Sequence, residues 1–207
     1  MSKNSILTHS DYENFLVHLY FGRDGDYLLR CVRRAYLDFS RTLHGLGKLA
    51  SKDVLRKRAT SELRRIFSDL KGDLATVTNQ AEFDTWHRAT CQRLSAIYKE
   101  HGYHRFYVGQ AQKWVNMTFK YIFTLGENRI PGFGGVYEFC HAPLDRVLIE
   151  RLAKYGFPRP PCAWSRLDNY DEYLKCQCWI QQHFELLPLD VEFRLWSGRD
   201  IDAISAT

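Results

Sequence analysis

Apolar residues recur at helical spacing along almost the whole chain, and this feature constrains the fold more than any other. Between residues 27 and 43 they recur at steps of three and four, and most of the arginines fall between them. Stretches that alternate apolar and polar residues, which would predict strands, are nearly absent. The sequence therefore predicts an all-α fold. Similar patterns predict helices over residues 54–70, 83–98, 111–125, 144–155 and 170–184.

The chain has no internal repeat and no linker rich in proline, glycine and serine that would separate two domains. Glycines and prolines only punctuate the joins between helices. We therefore predict a single helical domain over residues 1–207, with about seven or eight helices. Within it, basic helices occupy about residues 11–71, a second part covers about residues 80–200, and the longest irregular segment is 126–142.

Composition excludes several classes of protein. The chain is 45% apolar and 26% charged, as in an ordinary soluble globular protein, and no apolar run is long enough to cross a bilayer. No basic segment followed by a long hydrophobic stretch stands at the N-terminus, so we expect a cytoplasmic protein with no membrane partner. The six cysteines form no CxxC pair and most lie far apart, which favours buried, reduced thiols and predicts neither a metal site nor a cofactor.

Positive charge is concentrated in the first third of the chain. The protein has 29 Lys and Arg against 24 Asp and Glu, and thirteen of the basic residues lie between Arg23 and Lys71, with six acidic ones. Such a concentration is typical of a protein that binds a phosphate backbone, although a solvated helix face explains it equally well. We predict that Arg33, Arg34 and Arg41 contact DNA from neighbouring parts of one helix face.

The segment 109–121 combines an apolar helix with a narrow cationic stripe. Large apolar side chains surround the helix, which predicts that it is buried, while Lys113, Asn116 and Lys120 fall on one face. A desolvated lysine beside a second ammonium becomes a better nucleophile. Alternatively, both lysines extend to solvent and only bracket the helix.

A second helix start carries an aspartate. Pro143 favours a first helical turn, and Asp145 follows it where free backbone N–H groups and the helix dipole stabilise a carboxylate. A simple helix cap explains this residue too. Facing a lysine across a cleft, however, a fixed carboxylate is able to stabilise a developing cation or transfer a proton.

Together these segments resemble the helix-hairpin-helix DNA glycosylases, and within them the archaeal-type 8-oxoguanine DNA glycosylases. The likeness rests on Gln112-Lys113 with Lys120 seven residues later, on the separation of Lys113 from Asp145, and on the residues 143–147. It continues near the C-terminus, where residues 191–199 read VEFRLWSGR. It covers roughly residues 100 to 200. The sequence departs from the family at Glu192, where the family has Asp, in the hairpin 102–109 and in the loop 126–142.

The resemblance implies a helical bundle with its active site in a cleft, and it implies roles for individual residues. Lys113 would attack the sugar carbon C1′ and form a Schiff base, assisted by Asp145. Glu192 and Trp196 would hold the extruded base, and we place Lys120 and Asn116 in the same pocket. For phosphate contact we assign Arg105 and the backbone of Gly109.

Two functions remain open from the sequence. The first is a DNA glycosylase with lyase activity, a monomer that acts on double-stranded DNA carrying an oxidised purine or another modified base. The second is a non-catalytic helical protein that binds nucleic acid through its basic N-terminal helices. The loop 126–142 leaves room for a base bulkier than guanine, which suits the hypermodified bases of foreign DNA as well as repair.

Overall fold

The computed structural model describes residues 6–23, 25–72 and 77–202. Helices dominate these ranges, joined by short 3-10 turns, and no β-strand occurs within them, which confirms the all-α prediction. The α-helices are α1 (His9–Phe21), α2 (Tyr27–Phe39), α3 (Lys52–Gly72), α4 (Gln80–Glu100), α5 (Val108–Leu125), α6 (Arg146–Leu152), α7 (Tyr170–His183) and α8 (Pro188–Trp196).

Helix α5 is the centre of the bundle. Every residue from Gly109 to Ile122 is buried, as its apolar circumference predicts. It packs most extensively against α2 and next against α4. Trp114 joins α5 to α2, because its indole Nε1 donates a hydrogen bond to the Val32 carbonyl at 2.8 Å and its ring lies against Tyr36 and Phe39. The lysines of α5 are therefore held on the most enclosed element of the fold.

Helix α2 ends earlier than its periodicity predicts. The pattern extends to Leu43, but the α-helix stops at Phe39 and residues 40–42 form a 3-10 turn. The Thr42 hydroxyl donates to the Phe39 carbonyl at 2.8 Å, and the Ser40 hydroxyl donates to the Leu37 carbonyl. Hydroxyl side chains that bond to nearby backbone carbonyls compete with helix propagation, which accounts for the early end.

Three further observations bear on the class of protein. None of the helices in the described ranges is long and apolar enough to cross a membrane. All six cysteines are free thiols; most are buried as expected, but Cys162 is exposed and Cys178 only half-buried. Within the same ranges, no group of three or more His, Cys, Asp or Glu side chains is placed to hold a metal ion.

Candidate active site

The structure brings together the lysine and the aspartate that lie 32 residues apart in the sequence. The Nζ atom of Lys113 lies 2.6 Å from Oδ2 of Asp145, and it is 3.5 Å from the Pro143 carbonyl oxygen. The Lys113 side chain is 4% exposed and that of Asp145 is 20% exposed. The amine is thus almost fully enclosed, and its carboxylate partner forms the accessible side of the pair.

Asp145 is held in place by the helix that it starts. It is the N-cap of α6, with extended backbone, and its Oδ1 accepts a hydrogen bond from the backbone N–H of Leu148 at 2.8 Å. The second oxygen, Oδ2, is left to face Lys113. Asp145 is therefore both the helix cap and the partner of Lys113, and one carboxylate oxygen serves each role.

A second buried ion pair lies about two helical turns along α5, on the same face of the helix. The Nζ atom of Lys120 lies 2.5 Å from Oε2 of Glu192 on α8, and both side chains are less than a tenth exposed. The same Nζ lies 4.6 Å from the centre of the Phe193 ring and 5.0 Å from that of Trp196. Trp196 itself is 63% exposed. Glu192 and Trp196 thus share one face of α8, as their spacing predicts, and Trp196 presents an open aromatic surface beside the charges.

Sequence reasoning missed a third carboxylate at this site. Asp38 of α2 accepts a hydrogen bond from the Tyr121 hydroxyl at 2.7 Å and lies 3.9 Å from the Arg34 guanidinium. Burial raises its pKa above the usual range, opposed by that hydrogen bond and by the charges of Arg34, Lys113 and Lys120. One feature of the sequence points to this residue: Asp38 is the one acidic residue of the otherwise basic helix α2.

Electrostatics couple the two lysines to all three carboxylates. Burial raises the pKa of Glu192, the positive charges of Lys120 and Lys113 oppose this, and the negative charge of Asp145 adds to it. These side chains come from α2, α5, α8 and the start of α6. A cluster of this kind, in which enclosed cations face carboxylates at hydrogen-bonding distance, provides the donor and acceptor groups that proton transfer needs.

Comparison of the chain with protein-family models, with curated proteins and with solved structures finds no match in any of the three. The interpretation of the cluster therefore rests on its own geometry and chemistry.

Asn116 does not belong to the open part of the site, and here the prediction is corrected. Its side chain is fully buried: Oδ1 lies 2.9 Å from Nε2 of His87, and Nδ2 donates to the Tyr173 hydroxyl at 2.9 Å and to Gln112 Oε1 at 3.1 Å. Because these bonds occupy the amide, a base would have no free polar atom of Asn116 to contact. Asn116 shares its spacing with the two lysines but points into a polar network between α4, α5 and α7.

Gly109 does not offer its backbone to a phosphate, so that assignment is also wrong. Its N–H donates to the Leu167 carbonyl at 2.8 Å, and its carbonyl accepts from Gln112. A Cβ atom at this position would lie 1.7 Å from the Trp164 carbonyl oxygen, so the glycine is required for close packing of two backbone segments. Arg105 is exposed beside it, next to a recess that Arg166 and His44 also line. Its contact with DNA remains a prediction.

The predicted arginine face is divided in the structure. Arg33 is an exposed residue of α2, whereas Arg41 is exposed on the 3-10 turn that follows it. Arg34 turns toward the candidate site, where it donates a hydrogen bond to the Tyr20 hydroxyl at 2.9 Å. Other basic residues of the N-terminal third form ion pairs with acidic neighbours: Arg56, Arg58, Arg64 and Arg65. Pairing lowers the net positive charge that this surface offers to DNA.

The buried network around Asn116 predicts a dependence of stability on pH. Burial lowers the pKa of His87 well below 6.5 and also lowers that of His141. The unfolded chain then binds more protons, so stability is present above pH 6.5 and is lost as the pH falls toward the folded-state values. We expect the free energy of unfolding to fall by up to about 1.4 kcal/mol per pH unit for His87.

Denaturant unfolding between pH 7.5 and 5 measures this dependence. The raised pKa of Glu192 has the opposite effect on the free energy of unfolding, because the folded state binds this proton more tightly than the unfolded chain. Variants are therefore used to isolate the contribution of His87. His87→Gln should show a shallower slope than the wild type, while His104→Gln, at an exposed position, should retain the wild-type slope. Equal slopes in all three proteins would contradict the assignment.

Proposed function

We propose that this protein is a DNA glycosylase with lyase activity, a monomer of helix-hairpin-helix type that acts on double-stranded DNA carrying a damaged or modified base. The observation that carries the proposal is the enclosed Lys113 amine at 2.6 Å from a helix-start carboxylate, Asp145. The surrounding features are consistent with it, since an exposed aromatic ring and a second ion pair lie beside the first. The resemblance in sequence points to an oxidised purine as the substrate class.

The chemistry follows from the two atoms that face each other. Asp145 Oδ2 accepts a proton from Lys113 Nζ, and the neutral amine bonds to C1′ of the target nucleotide. The glycosidic C1′–N bond breaks in the same step, and the base leaves with that electron pair and takes up the proton that Asp145 accepted. A proton then passes from Nζ to O4′ as the C1′–O4′ bond breaks, which opens the sugar ring and leaves a protonated Schiff base between Nζ and C1′. The Asp145 carboxylate next removes a proton from C2′, the C3′–O bond breaks, and the 3′ phosphate departs with that electron pair.

The second ion pair and the open ring provide the means to hold an extruded base. An enzyme that acts on a base within a duplex must unstack it and then grip its face and its edge. Trp196 offers an exposed face for stacking. Lys120 and Glu192 offer a donor and an acceptor side by side for the edge. Lys113 and Lys120 are seven residues apart on α5, close to two helical turns, so base and sugar are contacted from one helix.

Borohydride trapping tests the proposal. Duplexes that each carry one modified base are incubated with the wild-type protein and sodium borohydride, which reduces a Schiff base to a stable amine. We expect a covalent protein–DNA product with at least one lesion, an oxidised guanine or a bulkier modified base, and none with undamaged DNA. Binding to all duplexes without a covalent product or strand scission would favour the non-catalytic alternative.

Trp196 should contribute to lesion binding and little to stability. The ring is mostly exposed, so Trp196→Ala should leave the melting temperature nearly unchanged while weakening binding to lesion DNA by about 1 to 3 kcal/mol, the usual scale of a base–aromatic stack. Affinity for undamaged duplex should change little. Fluorescence anisotropy with both duplexes measures this. Tyr12→Ala, at an exposed aromatic residue of α1, is the control. Equal losses on both duplexes would exclude stacking on an extruded base.

A further inference from the structure

The segment that leads into Asp145 is buried without being helical. Residues 140–144 are all buried and follow no regular secondary structure, yet the backbone groups of Ala142 and Leu144 are hydrogen-bonded. At Ala142, the N–H donates to Gln177 Oε1 and the carbonyl accepts from Gln177 Nε2, both at 2.9 Å. At Leu144, the N–H donates to Gln112 Oε1 at 3.2 Å and the carbonyl accepts from Gln112 Nε2 at 2.8 Å. Two glutamine side-chain amides thus make the backbone hydrogen bonds that a neighbouring strand would make in a β-sheet.

Gln112 connects this buried segment to the helix that carries Lys113. It precedes Lys113 on α5, and the residue that it holds, Leu144, precedes Asp145. Its amide has no freedom to turn: Nε2 also donates to the Gly109 carbonyl at 2.9 Å, and Oε1 also accepts from Asn116 Nδ2 at 3.1 Å. Both hydrogens and both lone pairs of the amide are therefore used. Two of these four bonds join Gln112 to Leu144, and we call this pair of bonds the clamp, because it ties the chain neighbours of the lysine and the aspartate to each other.

We propose that Gln112 is a positioning residue that keeps the Asp145 carboxylate within hydrogen-bonding distance of Lys113 Nζ. The inference rests on the proposed function, because it assigns the clamp a role in proton transfer at that pair. The other supports are the seven-residue helix α6, which Asp145 caps, and the two bonds from Gln177 to Ala142, three residues before Asp145. Without the clamp, the chain between Ala142 and α6 is able to shift, and the 2.6 Å contact lengthens. A shift of about 1 Å in such a pair is enough to slow a reaction about 100-fold.

The buried network extends this support to two more helices. Asn116, which orients the Gln112 amide, is itself bonded to His87 of α4 and to Tyr173 of α7. The Tyr173 hydroxyl in turn lies 2.9 Å from Nδ1 of His141, at the start of the same segment. Polar side chains that are buried and fully bonded hold a single arrangement, because any other leaves a group unpaired. The role of Asn116 is therefore support of the clamp.

Paired substitutions on α5 separate positioning from stability. Gln112→Met keeps the length of the side chain and removes its four bonds. The matched control is Gln110→Met: Gln110 is equally buried on α5 and bonds to the Tyr107 N–H and to Thr42, away from the pair. Under single-turnover conditions, we expect Gln112→Met to excise the base about 10- to 100-fold more slowly than the control, with affinity for lesion DNA unchanged within about threefold. Equal excision rates in the two variants would overturn the proposal.

A conservative variant gives a second kinetic measurement. In Gln112→Glu, the new carboxyl is ionised at high pH and cannot donate to the Leu144 carbonyl, whereas the protonated carboxyl regains one donor and one acceptor. The rate of this variant relative to the wild type should therefore rise as the pH is lowered. A ratio that does not change with pH would contradict a role for the donated hydrogen bond, and this comparison also stands if Gln112→Met fails to fold.

Hydrogen exchange tests the geometry without reference to catalysis. The Leu148 N–H bonds to Asp145 Oδ1, so its exchange rate reports whether the carboxylate is held. We expect exchange at Leu148 to be about 10-fold faster or more in Gln112→Met than in Gln110→Met. If the wild type excises no base, the proposed function fails, and the exchange rates alone decide whether Gln112 holds Asp145. Unchanged exchange at Leu148 would overturn the positioning role even in an active enzyme.

Discussion

Lys113→Gln should abolish borohydride cross-linking and slow base excision by at least about 1000-fold, which corresponds to about 4 kcal/mol of activation free energy. A glutamine amide has no nucleophilic lone pair to offer C1′, so the covalent route is lost. The fold should survive, because the amide is able to donate to Asp145 Oδ2 or to the Pro143 carbonyl, the two groups that Lys113 now contacts. Binding to lesion DNA should change little, since the exposed basic residues of the surface stay in place.

Two control variants make this result specific. Lys99→Gln removes one positive charge at an exposed position of α4 and should keep wild-type trapping, which excludes an effect of net charge. Lys120→Gln tests the alternative nucleophile: it should still cross-link, although more slowly, because Glu192 loses its partner. Trapping that persists in Lys113→Gln and disappears in Lys120→Gln would assign the nucleophile to Lys120, two helical turns along α5. Trapping that persists in both variants would contradict the mechanism.

The parts of this structure that the sequence predicts are those with a local cause. The burial of α5 follows from apolar residues on all sides of one helix, and the cap of α6 follows from an aspartate at a helix start. Pro143 was expected in the first helical turn, but it lies two residues before the cap, in the non-helical segment. The meeting of Lys113 with Asp145 is not local, and only the resemblance to a family joined them in advance. The spacing of Glu192 and Trp196 correctly placed both on one face of α8, beside Lys120.

The errors share one physical origin, which is hydrogen bonding between distant segments. Periodicity places Asn116 with the two lysines, but the amide bonds to His87 of α4 and turns away from them. The backbone of Gly109 was assigned to a phosphate, whereas its N–H donates to the Leu167 carbonyl and the chain near Trp164 covers it. Such partners lie tens of residues away and leave no trace in the spacing of apolar residues.

Some polar side chains have partners that the sequence does not reveal. Arg34 was predicted to contact DNA with its basic neighbours, and that contact stays a prediction; in the structure its guanidinium donates to the Tyr20 hydroxyl and lies 3.9 Å from Asp38. Gln112 was noticed only as the neighbour of Lys113, because a glutamine that satisfies a distant backbone looks like any polar residue in the sequence. A polar residue on an otherwise apolar helix indicates a buried partner, and the sequence does not identify that partner.

Asp145→Asn should lower the single-turnover excision rate by about 100- to 10,000-fold, the range for loss of a proton-transfer group, while the protein stays folded. The substitution separates the two tasks of the residue. Its Oδ1 still accepts the hydrogen bond from the Leu148 N–H, so the start of α6 is preserved. The negative charge that faces Lys113 is lost, and with it the group that accepts the proton from Nζ and offsets positive charge developing on the sugar.

The comparison with Asp145→Ala and with a second helix cap decides whether charge or structure is responsible. Asp145→Ala loses the cap as well, at a cost of about 1 kcal/mol, which lowers the melting temperature of a protein of this size by about 2 to 4 °C. Asn169 caps α7 in the same way, accepting from the N–H groups of Asp171 and Glu172, so Asn169→Ala should show a similar loss of stability with wild-type excision. Similar catalytic losses in both Asp145 variants, with a lower melting temperature only in Asp145→Ala, would assign catalysis to the charge. A wild-type rate in Asp145→Asn would instead reduce this residue to a helix cap, and would leave Lys113 without the carboxylate that its activation requires.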